Sequence, residues 1–365
     1  MMLNSKSNMP TIDFIWSSQK EYSSLKPLYI EAINRGWDTK FHKIHRNTLR
    51  NYISNNEISK HVVISHDNPL KRIKKMGWSG KYIYVEHGLS PIKFYTYKYS
   101  FFHEADLLFY PGEVFKRKME SINPNFKNGL VGGYPRMDEL FNMKINKAKL
   151  CNEYNLNYNA PIILFAPSWG GKYSNDSGIN NIKYFNDIDN LIAIPHPADY
   201  KLANKYNCII PDKEENINQF IHLSDIVISD VSSVLVEACL LDKPVIQLLL
   251  SNYPGCFPEK DKRKEESWIS RDLIDKECQK INQSKHPFKL PYIDEEWILG
   301  HLSKPEEILK TIDIVKNEMN RYSKNRKYWA KQCCYKFDGK ISKRMLDMIE
   351  YFIKTNKFKQ IGFIS

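Results

Sequence analysis

Histidine is the side chain whose charge changes near neutral pH, and two histidines here directly follow short apolar runs. His87 comes after "KYIYVE" and precedes Gly88, a residue that lets a ligand approach the backbone closely. An imidazole in that place has the chemistry of a general base. Lys93 lies close enough in the chain to hold an anion beside it. His196 stands in "AIPHPAD" between Pro195 and Pro197, whose fixed φ values make the ring's position rigid. A histidine held there can donate to a phosphate oxygen. Either ring could equally be a structural histidine, satisfied at a strand end or in a turn.

Hydroxyls supply the next candidates. "SDVSSVLVEACLLDKPVI" ends a strand, places Ser232 and Ser233 at the start of a helical pattern, and closes on another strand. Free N–H groups and the positive end of a helix dipole make such a place ready for an anion. Glu237 lies one turn beyond Ser233, on the same helical face, where it can accept hydrogen bonds from a ribose diol. Helix capping would need only one of these hydroxyls and no glutamate. Ser168, in "FAPSWGG", follows a further strand, and Gly170 with Gly171 offers a weak phosphate-cradling signal.

The elements that must hold these residues alternate. Apolar strands are expected at "TIDFIWSS", "HVVISHD", "KYIYVEHG", "ADLLFYPG" and "NGLVGGYP". After a helical, charged stretch they resume at "PIILFAPSW", "NLIAIPHP", "CIIPD", "DIVISDV" and "PVIQLLL". Strand–helix alternation means parallel sheet with right-handed crossovers. Two successive doubly wound units predict two Rossmann-like domains facing a cleft, over residues 1–142 and 143–310. Basic helices over 311–365 would cross back to the first domain. In open parallel sheets ligands bind beyond the carboxyl ends of the strands, where all the candidates sit. There is no GxGxxG after the first strand and no P-loop. Asp187 and Asp189 in "NDIDN" precede a strand and read as a turn, not a metal site.

Composition bounds the rest. The chain has 365 residues, 42% hydrophobic, enough for two cores, with no apolar run near the ~20 residues that span a bilayer. Seven cysteines at irregular spacing fit reduced thiols and a cytosolic protein. The net charge of +12 is concentrated: 14 Lys/Arg against 5 Asp/Glu from Lys310 onward, and 9 against 2 between Lys40 and Lys75. Such patches suit an anionic membrane face or an anionic polymer. Nothing resembles a nucleic-acid motif, so no nucleic-acid partner is expected.

Taken together, "HG" at His87–Gly88, "GYPRMD" at Gly133–Asp138, "LFAPSW" at Leu164–Trp169, "PHP" at Pro195–Pro197, "NINQFIHLSDIVISDVSS" at Asn216–Ser233 and "FDGKISKRM" at Phe337–Met345 resemble the CDP-glycerol glycerophosphotransferase family of teichoic-acid primases and polymerases. The resemblance implies a GT-B α/β architecture and transfer of a polyol phosphate from a CDP-activated donor, with CMP released. It implies a lipid-linked, capsular or teichoic-acid-like acceptor at the inner face of the cell membrane. By it, His87 is the base; Ser168, His196, Ser232 and Ser233 hold the diphosphate; Glu237 holds the ribose; Lys93 serves the acceptor. No metal or other cofactor is implied. Ser168 and Gly170 stand where the family has Thr and Arg, and Val231 where it has Tyr. Glu237 replaces an aspartate and resembles the ribose-binding glutamate of nucleotide-sugar glycosyltransferases of the same architecture, the alternative reading.

Overall fold

The structure is a computed structural model. It describes residues 9–44, 57–90, 97, 99–170, 175–176, 178–186, 188–203, 205–206, 208–250 and 298–360. The chain forms two compact units: Met1–Gly88, Tyr99–Asn142 and Cys334–Ser365 in the first, Leu89–Lys98 and Met143–Cys333 in the second.

The first unit is built on six parallel strands: β1 (Asp13–Trp16), β2 (Phe41–Lys43), β3 (His61–Ile64), β4 (Lys81–Val85), β5 (Leu107–Tyr110) and β6 (Gly129–Val131), in the order β2-β1-β3-β4-β5-β6. Its central strands are apolar runs buried along their length, as "LLFY" in β5 shows, because helices cover both faces of such a sheet. Those helices are α1 (Gln19–Asn34), α2 (Asp67–Lys75), α3 (Ser100–His103), α4 (Glu113–Ile122) and α5 (Arg136–Asn142). Ser18 caps α1, and Glu21, three residues on, accepts the Ser17 N–H at 2.7 Å, so this end is held reciprocally. The sheet order reverses between β1 and β3, which places the crevice at their carboxyl ends.

The second unit holds α6 (Lys147–Glu153), β7 (Ile163–Phe165), β8 (Leu191–Ala193), α7 (Tyr200–Ala203), α8 (Ile217–Leu223), β9 (Ile226–Ser229), α9 (Val234–Leu240), β10 (Val245–Leu248), β11 (His301–Ser303), α10 (Ile308–Asn317) and α11 (Ser323–Cys333). Its parallel sheet runs β11-β10-β9-β7-β8, with the reversal between β7 and β9. Asp242, in the left-handed region just past α9, accepts bonds from Ser323 Oγ at 2.6 Å and Arg326 Nε at 2.9 Å, and so moors α11. "CIIPD" forms no strand; Ile209 makes one isolated bridge to Ile192, because the surrounding turns leave it no length to pair. β11 was not anticipated: at three residues it carries too little pattern to read.

α12 (Ile341–Thr355) returns the chain to the first unit. It buries Ile341, Met345, Leu346, Ile349 and Phe352 and packs on α1. The Asp138 carboxylate accepts the N–H groups of Ile341 at 2.8 Å and Ser342 at 2.7 Å, an N-terminal cap supplied from a distant segment. Gly133 has φ +95°, and a Cβ there would meet Ile341 Cγ2 at 2.8 Å and the Tyr335 carbonyl at 2.9 Å. Among the described residues, no helix is long and apolar enough to cross a membrane.

Candidate functional site

In the first unit His87 follows β4 at the carboxyl edge of the sheet. Its Nδ1 lies 2.8 Å from the Ser65 carbonyl oxygen. A carbonyl only accepts, so Nδ1 carries the proton of the neutral ring and Nε2 carries the lone pair. Burial, with the charges of Lys20 and His66 nearby, holds this imidazole well below the usual histidine range. At neutral pH the His87 ring is therefore uncharged, with Nε2 as its unprotonated nitrogen.

Three neighbours of His87 were not singled out from the sequence. Glu86 is 7% exposed, and its Oε1 accepts the His87 N–H at 3.1 Å and the Tyr84 hydroxyl at 3.2 Å. Burial raises its carboxyl pKa. His66, at the end of β3, has its ring centre 5.9 Å from that of His87. Its Nδ1 is 2.7 Å from Asp67 Oδ1 and 3.3 Å from the Asn68 nitrogen. Both contacts cannot be hydrogen bonds to one nitrogen. Asp67 is desolvated, but bonds from His66 and Lys71 outweigh that and hold it ionised. A lone pair facing a carboxylate at 2.7 Å would repel, so Nδ1–H donates to Asp67. Lys93 lies outside the described residues.

In the second unit the candidates cluster around the loop after β7. Ser168 is 5% exposed; its N–H and Oγ–H both go to the Asp230 carboxylate, at 2.9 and 2.7 Å. Asp230, fully buried after β9, also accepts the Val231 N–H at 2.5 Å. Two residues on, the Gly170 N–H goes to Asp199 Oδ2 at 2.9 Å. Two buried aspartates thus pin this loop, and Gly171 lies outside the described residues. A lone Asp at a strand end or in a turn was the only sequence signal for either.

His196 accepts the Ala198 N–H on Nδ1 at 3.2 Å. A backbone N–H only donates, so the neutral ring carries its proton on Nε2, the reverse of His87. Ser233 makes no side-chain capping bond to α9; its Oγ accepts the Leu89 N–H at 3.0 Å, and Ser90 Oγ donates to the Val231 carbonyl at 3.0 Å. Ser232 Oγ meets the Val234 nitrogen only at 3.5 Å. Capping therefore accounts for Ser232, through a long bond, and not for Ser233. Glu237 is 2% exposed, its side chain inside the unit behind the first turn of α9. Cys239, on the same helix, is buried with its thiol pKa pushed up by desolvation, which fits an inert packing role. Among the described residues no group of three or more His, Cys, Asp or Glu side chains gathers in a metal-binding arrangement.

A family model described as CDP-glycerol:poly(glycerophosphate) glycerophosphotransferase matches residues 2–250. No curated protein matches. Among solved structures, the wall teichoic acid polymerase TagF is 18% identical, with a TM-score of 0.63 over 96% of this chain and 91% of that one. S. aureus MnaA in complex with UDP is 15% identical, with a TM-score of 0.55 over 96% and 99%. A UDP-N-acetylglucosamine 2-epimerase from Listeria monocytogenes is 14% identical, with a TM-score of 0.58 over 96% and 98%. These likenesses establish the α/β fold of parallel sheets that the strand pattern predicted and the GT-B class that the resemblance implied.

Proposed function

Because this chain belongs to the CDP-glycerol:poly(glycerophosphate) glycerophosphotransferase family, we propose that it moves glycerol phosphate, or a closely related polyol phosphate, from a CDP-activated donor to a hydroxyl of a teichoic-acid-like acceptor. The enzyme class follows from the family; the donor, the acceptor and the release of CMP are the proposal. The observation that carries it is the proton placement on His87. Nε2 takes the proton of the acceptor hydroxyl, the oxygen forms a bond to the phosphorus bearing glycerol, and CMP leaves with the electron pair of the broken P–O bond.

The second unit is assigned the donor. His196, protonated on Nε2, is assigned to the phosphate on which charge accumulates, and Ser168, whose hydroxyl donates to Asp230, is assigned to the diphosphate through the loop that Asp199 and Asp230 hold. Ser232 and Ser233 serve the diphosphate and Glu237 the ribose. No metal ion is assigned a role, so turnover is expected to survive EDTA. The place of action is the inner face of the membrane, reached through exposed lysines.

Replacing His87 by Ala tests this directly. Turnover should fall by about a hundredfold or more, the usual contribution of a general base, while the donor still binds with near-native affinity. Unchanged turnover would remove His87 from the mechanism.

A further inference from the structure

The crevice at the ends of β3 and β4 contains more chemistry than a base requires. His66 is oriented through Asp67, so its Nε2 faces away from that carboxylate. Lys20 stands in the first turn of α1, the helix that follows β1 at the carboxyl edge of the sheet beside β3, and its charge acts on His87 and Glu86. Two polar atoms in the same corner, Glu86 Oε2 and Ser65 Oγ, are buried without a hydrogen-bond partner among the described residues. Ser65 and Glu86 are 0% and 7% exposed. Buried polar groups are normally satisfied, and a pair left open beside a cation and two imidazoles indicates a polar ligand that completes the site. The chemistry matches a phosphate flanked by hydroxyls: oxyanions for Lys20 and His66, hydroxyls for Glu86 and Ser65.

We propose that Lys20 and the Asp67-oriented His66 form a subsite for the phosphate that lies next to the reacting hydroxyl of the acceptor. The proposal rests on the glycerophosphotransferase reading and names specificity-determining residues for it. His66 and Lys20 bind the acceptor phosphate; Asp67 is a positioning residue that fixes the His66 ring. The selectivity is then for acceptors already carrying glycerol phosphate over neutral polyols.

Two acceptors separate this from a general loss of activity: a short glycerol phosphate oligomer and an uncharged glycerol glycoside. His66→Gln and Lys20→Met should each raise KM for the oligomer about tenfold, the effect of losing one charge-assisted hydrogen bond, with kcat within about twofold. KM for the glycoside and for CDP-glycerol should stay within about twofold. Asp67→Asn should raise the oligomer KM by a smaller factor. Equal changes for both acceptors, or a rise confined to the donor KM, would overturn the subsite. Binding of glycerol 1-phosphate to the unliganded protein, followed through the His66 ring signals by NMR, gives an answer without turnover. Perturbation of His66 that is lost in Lys20→Met supports the subsite; no perturbation refutes it. Absence of any CMP release with intact glycerol 1-phosphate binding would refute the donor reading alone.

Discussion

His87 and His196 both meet the backbone through Nδ1, His87 at the Ser65 carbonyl and His196 at the Ala198 N–H, so their neutral rings are opposite tautomers, and the proposed roles of base and donor rest on that difference. The depressed pKa of His87 sets a direction for pH dependence. A base whose pKa lies below the ordinary value of about 6.5 stays neutral as pH falls past it. The acid limb of kcat/KM should therefore lie below about pH 6.5, and Lys20→Met, by removing a nearby positive charge, should shift it upward. An acid limb at or above the ordinary histidine value would contradict the placement. Asp230 carries a second prediction. Replacing it by Ala leaves the Ser168 and Val231 N–H groups buried without their acceptor and should cost about 3 kcal/mol in denaturant unfolding, against about 1 kcal/mol for Ser168→Ala. At this scale the sequence was partly legible. Histidines after apolar runs stand out by type and position. Asp199, Asp230 and His66 did not, because their roles depend on partners brought together by the fold: Gly170 for Asp199, Ser168 for Asp230 and His87 for His66. Glu86 adjoins His87 in the chain, and what the sequence did not show is its burial.

The elements explain two stretches that carry the family resemblance. "GYPRMD" and "FDGKISKRM" meet within the first unit, where Asp138 caps α12 and Gly133 leaves room for Ile341. Their work is to dock the last helix. Gly133→Ala forces a side chain into a positive φ against backbone and should destabilise the first unit by about 1–3 kcal/mol. Hydrogen exchange over Ile341–Thr355 should then rise selectively; uniform protection would contradict the docking role. Apolar runs of four or five residues located most strands correctly, since fully buried parallel strands have few polar positions. β2 and β11 went unseen because their three residues, Phe41–Lys43 and His301–Ser303, mix polar with apolar types and form no such run. "CIIPD" had the run, but only Ile209 pairs, with Ile192 of β8.

For the whole molecule, the excess of positive charge in the C-terminal stretch has two kinds of members. Arg326 is 2% exposed and bound to Asp242, and Arg344 is paired with Asp338 at 2.7 Å, so both hold structure. Lys324, Lys331, Lys340 and Lys343 are exposed. Changing these four to Gln should lower co-flotation with vesicles containing anionic lipid several-fold at low salt, without change in melting temperature. Unchanged flotation would remove these lysines from membrane contact. Composition showed where the charge lies along the chain; only the folded contacts separate free lysines from structural arginines.

The central claim is the transfer of a polyol phosphate, and the identity of the released nucleotide tests it most directly. The purified protein is incubated separately with CDP-glycerol, CDP-ribitol and a panel of UDP- and GDP-sugars, each with a teichoic-acid-like acceptor, and the products are followed by phosphorus NMR. The account predicts CMP and a new phosphodiester signal from a CDP-polyol alone. Release of UDP or GDP from a sugar donor, with no phosphodiester formed, would contradict it and assign the site around Glu237 to a glycosyltransferase.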